Sequence, residues 1–304
     1  MSYPTPQALR TAIKVKARAV ARTTSRGVSD VMHHYALSRL LARVFRADPD
    51  RWVLKGGQAM LVRYPDARHS RDVDLIYSDH DPDYAEALAA LRSAAQFDAG
   101  DQMKFEYAGC TEVADHRSGI TVTFKAVIGA TEFAHVSVDL VVDHQPIGRP
   151  VTVPLKPVLE LKGIDDWPEV RLYPIVDHVA DKICAMLERH PGSAGGVSHR
   201  FRDLVDLILI IANEQIDGAE LHGVLRAEAG RRRQRGTDIE LPPWFTVPDR
   251  LIWERGYVKQ AGGVPNFEEF RTLKAAEALA ARFVDPLLAN QLPGTWDPST
   301  RSWR

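Results

Sequence analysis

The sequence predicts an α/β (α+β) fold in which a mixed sheet is followed by a mainly helical C-terminal lobe. Strand-like segments with alternating or β-branched apolar residues fall at 70–77, 103–108, 120–128 and 135–142. A helical pattern at 85–95 lies among them, and strands interspersed with helices are typical of mixed α/β folds. Beyond the proline-rich residues 146–157, the clearest apolar patterns have helical spacing.

The first 64 residues predict helices and one glycine turn. Apolar residues such as Leu9 and Ile13 recur at helical spacing between residues 6 and 45, with a break at 24–27, so we expect two helices. The segment 52–64, WVLKGGQAMLVRY, predicts a short apolar entry, a Gly-Gly turn and an amphipathic helix.

A soft domain boundary is expected near residue 150. The segment from Pro146 to Pro157 holds four prolines, and such segments rarely lie inside a sheet or a helix. We therefore predict a lobe of residues 1–150 and a mainly helical lobe of residues 151–304. Helices are expected in the second lobe at 175–190, 199–213 and 267–284, with less regular sequence between the last two.

Composition limits the class of protein. The chain has 304 residues, of which 45% are hydrophobic and 26% charged, and a formal net charge of -1, as expected of an ordinary globular protein. Its two cysteines form no CxxC pair, and no run of about 18 apolar residues occurs. We expect a cytoplasmic protein with reduced cysteines and no membrane partner.

Two strand-like segments carry acidic residues on one face. Asp72 and Asp74 are two residues apart, so their side chains project from the same side of a strand. Asp139, in VSVDLVVD, lies on the polar side of a later strand. Clustered carboxylates repel one another and need a cation or shared protons, and their hard oxygen atoms suit Mg²⁺ or Mn²⁺. A pair of such ions supports phosphoryl-type transfer. A lone DxD can also be a solvated strand edge or a turn.

A glycine pair precedes these acids. Lys55, Gly56 and Gly57 lie between an apolar triplet and a helix, where backbone N–H groups and the helix dipole favour an anion such as phosphate. The segment matches neither the Walker A pattern nor GxGxxG, and a Gly-Gly pair can equally be a simple turn.

These motifs together resemble a known family. LKGGQAMLVRY, HSRDVDL and the later VDLVV are similar to the core of polymerase-β-like nucleotidyltransferases. HVADKICAMLERH and RFRDLVDL resemble the lysine-helix and Lys/Arg-Asp-x-x-Asp motifs of AbiEii-type toxins, which are the nucleotidyltransferase halves of toxin–antitoxin pairs. The resemblance covers roughly residues 50–213.

The resemblance implies an activity and partners. Family members transfer a nucleoside monophosphate (NMP) from a nucleoside triphosphate (NTP), in some cases to the 3′ end of tRNA, which blocks aminoacylation. We therefore expect Mg²⁺ or Mn²⁺, an NTP, tRNA and a cognate antitoxin as cofactor, substrate and partners.

The resemblance also implies roles for individual residues. Asp72 and Asp74 would bind metal, with Asp139 as a third ligand or base. Lys182 and Asp203 would complete the catalytic site, whereas Asp206 would have a structural role. The triphosphate or nucleotide would be bound by Lys55, Gly56, Gly57, Ser70 and Arg71. Gln58 stands where the family often has Ser or Thr, so a hydroxyl contact to phosphate is either missing or supplied by Ser70.

Two basic clusters are candidates for RNA contacts. Residues 1–50 contain nine Lys or Arg against three Asp or Glu, including Lys14, Lys16 and Arg18. Arg231, Arg232 and Arg233 follow Gly230 in a predicted loop. Both clusters can alternatively be solvated protein surface.

Other functions remain open at this stage. The acceptor could be a small molecule or a protein hydroxyl, or the chain could be a non-catalytic nucleotide or RNA binder. Zinc catalysis and Ser/His/Asp hydrolysis are disfavoured, because the sequence has neither HExxH nor GxSxG.

Overall fold

The computed structural model describes residues 3–24, 26–79, 83–112, 119–189 and 198–304. The chain divides into two compact units. Unit 1 comprises residues 1–65, 69–146 and 150–173, and unit 2 comprises residues 66–68, 147–149 and 174–304. The sheet-containing unit thus extends to Tyr173, whereas the sequence predicted a boundary near residue 150. The division into lobes of residues 1–150 and 151–304 stays a prediction.

Unit 1 is built on a mixed sheet, which confirms the predicted fold class. Its described strands are β1 (Trp52–Lys55), β2 (Asp72–Tyr77), β3 (Met103–Glu112), β4 (Ile120–Ile128), β5 (Thr131–Val141), β6 (Val151–Pro154) and β7 (Glu169–Leu172). They are ordered β3-β4-β5-β2-β1-β7-β6. The pairs β2–β5 and β1–β7 are parallel and the others antiparallel.

Helices bury one face of this sheet. The described helices of unit 1 are α1 (Pro6–Thr23), α2 (Val28–Ala47), α3 (Gly56–Arg63) and α4 (Tyr84–Ala95). Apolar residues of α1, α2 and α4 share one core with alternate residues of β2 and β5, such as Leu75 and Val138. Because strand side chains alternate, the residues between them project from the opposite face.

The proline-rich segment forms part of the sheet, contrary to the prediction that it leads out of this lobe. β6 begins after Pro150, includes Pro154 and pairs with β7, at one end of the strand order. Proline is tolerated there because an end strand needs partners along one side only.

Two buried arginines of α2 are held by one carboxylate. Arg39 Nε donates to Asp101 Oδ2 at 2.6 Å, and Arg43 Nη2 donates to Asp101 Oδ1 at 2.5 Å and to the Met103 carbonyl at 2.6 Å. Burial opposes ionisation of Asp101, but the two guanidinium groups outweigh it and lower the pKa of this carboxyl. The pairing fixes α2 against the start of β3.

Unit 2 is mainly helical, as predicted. Its described helices are α5 (Ile175–Leu187), α6 (Phe201–Ile211), α7 (Gly218–Gln234), α8 (Arg250–Ala261) and α9 (Leu273–Leu288), with a 3-10 turn at Glu268–Phe270. Short strands β8 (Glu188–Arg189), β9 (Ile216–Asp217), β10 (Asp238–Ile239), β11 (Thr295–Asp297) and β12 (Ser302–Trp303) pair as β8–β10 and β9–β11–β12. Residue 190, the predicted end of the first helix, lies outside the described residues.

Helices α7 and α8 correct the prediction of irregular sequence between 213 and 267. In α7 the residues Leu221, Val224, Leu225 and Ala229 are buried at helical spacing. This buried face outweighs the low helix propensity of the two internal glycines, so Arg231, Arg232 and Arg233 lie in the last turn of a helix rather than in a loop.

Among the described residues, no helix combines the length and the apolar character needed to cross a membrane.

Candidate active site

A row of polar side chains crosses four adjacent strands of the unit 1 sheet. Asp74 of β2 is in register with Asp139 of β5 on one side and with Lys55 of β1 on the other. Asp139 is in register with Thr121 of β4. Directly opposed residues lie on the same face of a sheet, here the face opposite the helical core. We call Thr121, Asp139, Asp74 and Lys55 the polar row.

Local hydrogen bonds orient the acids. Thr121 Oγ1 donates to Asp139 Oδ1 at 2.6 Å. Asp72 shares the face of Asp74, and its Oδ1 accepts a hydrogen bond from Ser70 Oγ at 2.7 Å. Asp72 is exposed, whereas Asp74 and Asp139 are half-buried. The structure thus places all three predicted carboxylates on one face.

The donor chemistry of these acids fits a hard divalent cation, since carboxylate oxygens are the ligands that Mg²⁺ and Mn²⁺ prefer. Within the described ranges, however, no three His, Cys, Asp or Glu side chains form a group that could hold a metal ion. Ser70 and Thr121 engage two of the three carboxylates. An ion shared by the three carboxylates would therefore require the side chains of Asp72 and Asp139 to rotate away from these hydroxyl groups.

Gly56 brings the backbone directly against the Asp74 carboxylate. It begins α3 with φ +64°, in the left-handed region that favours glycine. A Cβ atom at this position would lie 1.8 Å from Asp74 Oδ2 and 2.5 Å from its Cγ. Glycine is thus required both by the backbone angle and by the space that Asp74 occupies.

We expect Gly56→Ala to damage the site more than the fold. The alanine should cost about 1–2 kcal/mol for its positive φ, and its Cβ must push the Asp74 carboxylate out of the polar row. The free energy of unfolding and the rate of nucleotide transfer should both be measured.

Gly100→Ala is the matched control for this change. Gly100 has φ +66°, but a Cβ there would meet nothing within 4 Å among the described residues. Both variants should lose similar stability, and only Gly56→Ala should lose most of its activity. Equal activity of the two variants would show that the contact with Asp74 is unimportant.

The other residues predicted to bind the nucleotide surround the start of α3 and β2. Lys55 precedes α3, and its Nζ lies 5.4 Å from the Tyr173 ring centroid. Gly57 is buried in the first turn of α3. Ser70 is buried, whereas the Arg71 side chain is 84% exposed, with Asp30 Oδ1 at 3.9 Å.

Lys182 and Asp203, the other predicted catalytic residues, belong to an ionic cluster within unit 2. Lys182 Nζ of α5 lies 2.7 Å from Asp206 Oδ2 and 3.3 Å from Asp203 Oδ1, both on α6. Arg68 donates two hydrogen bonds to Asp206, at 2.9 and 2.8 Å. Their role in catalysis stays a prediction.

The two acids of this cluster differ in electrostatic environment. Burial raises the pKa of Asp203, and the nearby Lys182 does not compensate fully. Burial also acts on Asp206, but Lys182 and Arg68 outweigh it and lower its pKa. Burial opposes the charge of Lys182, yet the two carboxylates raise its pKa. Asp206 is thus the strongly held partner, and Asp203 is the acid that ionises less readily.

The two basic clusters predicted for RNA differ in accessibility. Lys14, Lys16 and Arg18 are exposed on α1. Arg232 instead pairs with Asp181, Glu188 and Glu228 and is largely covered. Neighbouring Arg231 pairs with Glu228 at 2.8 Å, and Arg233 Nε donates to the Ile239 carbonyl at 3.0 Å. These contacts argue against Arg232 as a phosphate ligand.

For three residues beside the predicted site residues, the sequence analysis did not predict the contact that the structure shows. Thr121 fixes Asp139, Arg68 binds Asp206, and Gln58 Nε2 donates to the Ser70 carbonyl at 3.2 Å. Gln58 was noted only as a departure from the family pattern. The position of Arg68 directly before HSRDVDL was the only available signal for that residue, and strand register alone identifies Thr121.

Comparisons with known proteins give one family model and several structures of similar fold. A family model described as "Nucleotidyl transferase AbiEii toxin, Type IV TA system" matches residues 39–297. The solved structure of MenT4, a nucleotidyltransferase toxin from Mycobacterium tuberculosis, is similar in fold, with TM-score 0.51 and 15% identity over 92% of this chain and 98% of that one. JHP933 from Helicobacter pylori gives TM-score 0.45 and 16% identity, over 86% and 93% of the two chains. No curated protein matches.

Proposed function

Because the chain belongs to the AbiEii family of nucleotidyltransferase toxins of type IV toxin–antitoxin systems, we propose that its polar row is the site of nucleotide transfer. The observation that carries this proposal is the register that places Asp74 between Asp139 and Lys55 on one face of the sheet. Two adjacent acids next to a lysine and a glycine-led helix are suited to a metal-bound triphosphate.

The start of α3 binds the triphosphate in this proposal. Gly56 begins α3, and backbone N–H groups in the first turn of a helix are suited to binding an anion. Lys55 and Arg71 supply positive charge, and Ser70 supplies a hydroxyl next to Asp72. Gly57 is buried in the same turn, so its assignment to the nucleotide rests on the family resemblance.

The divalent metal, Mg²⁺ or Mn²⁺, would be held by Asp72 and Asp74, with Asp139 as a third ligand or as the base. When bound, it neutralises charge on the phosphates and favours ionisation of the attacking hydroxyl. In the reaction, the acceptor oxygen forms a bond to the α-phosphorus, and the bond from that phosphorus to the oxygen bridging to the β-phosphate breaks. Pyrophosphate leaves, and the hydroxyl proton passes to a base, for which Asp139 is the candidate in unit 1.

We further propose that the acceptor is RNA, with the 3′ end of tRNA as the favoured site. The exposed Lys14, Lys16 and Arg18 on α1 support an RNA acceptor, because exposed cations along a helix attract the phosphate backbone without reading sequence. Transfer to the tRNA 3′ end would block translation. The family also implies a cognate antitoxin as partner.

The acceptor can be identified directly. The protein should be incubated with each α-labelled NTP and Mg²⁺, together with total tRNA, a protein lysate or a small-molecule extract. We expect label in tRNA, lost when a chelator is added or when the tRNA 3′ hydroxyl is oxidised. Label confined to protein or to small molecules would assign the alternative acceptor. No label in any fraction, with all four NTPs, would contradict nucleotide transfer by this chain.

A further inference from the structure

A cavity of about 640 Å³ lies on the surface of unit 2. It is formed by the residues at the start of α6 and by one face of α8. Its lining includes His199, Phe201, Leu251, Ile252, Arg255 and Lys259. A volume of this size can hold a small planar molecule such as a nucleoside.

The cavity face of α8 is distinct from the buried face of that helix. Trp253, Tyr257 and Ala261 are buried, whereas Leu251 is 82% exposed and Arg255 and Lys259 are also exposed. An exposed leucine of this kind is notable only when it belongs to a patch, and here it adjoins other apolar lining residues. The helix thus presents an apolar surface edged by two cations.

The rings of His199 and Phe201, at the start of α6, make this surface partly aromatic. The rings of His199 and Phe201 lie 5.8 Å apart at 36°, and Trp253 packs edge-on against Phe201 at 5.1 Å. A Cβ at Gly256 would lie 2.3 Å from Phe201 Cε2, so the phenyl ring lies directly on the α8 backbone. Phe201 is therefore held in place while lining the cavity.

The charge of the lining selects an anionic occupant. Three of its described residues have basic side chains and none is acidic. No described carboxylate pairs with Arg255 or Lys259, in contrast to Arg250 of the same helix, which pairs with Glu277 at 2.7 Å. Cations that the fold does not use internally, next to aromatic rings, match a nucleobase flanked by phosphates.

We propose that this cavity binds an unpaired base of single-stranded RNA, with the flanking phosphates on Arg255 and Lys259. This inference deepens the proposed function, on which it rests, by assigning a binding subsite for the acceptor RNA to unit 2. An acidic peptide with apolar anchors is the competing occupant, but the paired rings favour a flat base over aliphatic side chains.

Binding is measured by fluorescence anisotropy with fluorescein-labelled octa-adenylate, in a chelator and without NTP, so that no chemistry is needed. The variant Arg255→Gln/Lys259→Gln should weaken binding by about tenfold or more and reduce the salt slope by about 1.4. The control Lys274→Gln/Arg282→Gln removes two exposed charges from α9, outside the cavity, and should change the affinity by less than threefold.

The base is tested separately from the phosphates. Phe201→Leu keeps apolar packing against Trp253 and should weaken octa-adenylate binding by about fivefold or more. An abasic oligomer of the same length should bind the wild type and Phe201→Leu equally. Unchanged thermal unfolding of each variant establishes that the fold is intact, and His199→Ala provides a second ring variant if Phe201→Leu unfolds.

The outcomes separate this inference from the proposed function. If the cavity variants and the control bind octa-adenylate equally, or if an acidic peptide displaces the RNA and binds more tightly, the inference is overturned even where transfer to tRNA occurs. If the cavity variants alone lose binding, the cavity binds RNA. A labelled acceptor that then proves to be a protein or a small molecule overturns the proposed acceptor and the assignment of this site to it, but not the binding of RNA by the cavity.

Discussion

Asp74→Asn is expected to reduce nucleotide transfer by about 10³-fold or more while leaving the fold intact. The amide has nearly the volume of the carboxylate but no negative charge, so Lys55 and Asp139 lose the anion between them. A metal-bound phosphoryl group gains several kcal/mol from such ligands, and each 1.36 kcal/mol corresponds to about tenfold in rate. Single-turnover incorporation of an α-labelled NTP into the acceptor measures the loss.

The matched control for Asp74→Asn is Asp50→Asn. Asp50 is an exposed acid of unit 1 just before β1, at the end of that strand remote from Lys55. It undergoes the same chemical change and should keep full activity. Transfer by Asp74→Asn within tenfold of the wild type would rule out the polar row as the catalytic centre.

The sequence predicts the local part of this site and not its assembly. A period of two is enough to place Asp72 and Asp74 on one face of β2, since strand side chains alternate. The pairing of Asp74 with Asp139 and Lys55 depends on the strand order β5-β2-β1. That order is set by contacts between distant segments, which a single sequence does not encode in any local pattern.

The buried arginines of α2 also depend on a contact between distant segments that the sequence does not predict. Arg39 and Arg43 lie on the buried helix α2, where sequence alone would place solvated arginines on an exposed face. They are tolerated because Asp101, from a distant loop, neutralises both. A charged side chain therefore does not predict an exposed position where a residue of opposite charge, distant in the sequence, pairs with it.

The sequence analysis did not predict α7 and β6 for a related reason. Two glycines and a low apolar content made α7 resemble irregular sequence, and four prolines made β6 resemble a linker. In both cases tertiary packing or strand pairing outweighs the local propensity.

Lys182→Met is expected to destabilise unit 2 by about 3–5 kcal/mol, because it leaves Asp203 and Asp206 buried without their shared cation. The midpoint of thermal unfolding should fall by roughly 10 °C. Arg68 still binds Asp206 in the variant, so Asp203 is the buried carboxylate whose charge is compensated least.

The stability lost in Lys182→Met should become smaller as pH falls. In the wild type the pKa of Asp206 is lowered, so its contribution to stability is present above the pKa of an unfolded carboxyl and is lost as pH falls. Without Lys182 the pKa values of both acids rise, and protonation relieves the buried charge at low pH. The stability difference between wild type and variant should therefore shrink between pH 7 and pH 4, as measured by denaturant unfolding.

The double variant Lys182→Met/Asp203→Asn separates a structural role from a catalytic one. It removes one charge of each sign and keeps the two hydrogen bonds from Arg68 to Asp206, so most of the lost stability should return. If Lys182 and Asp203 act on the nucleotide, as the family resemblance implies, transfer stays reduced although the fold is restored. Recovery of transfer together with stability would instead mean that this cluster only holds α5 against α6.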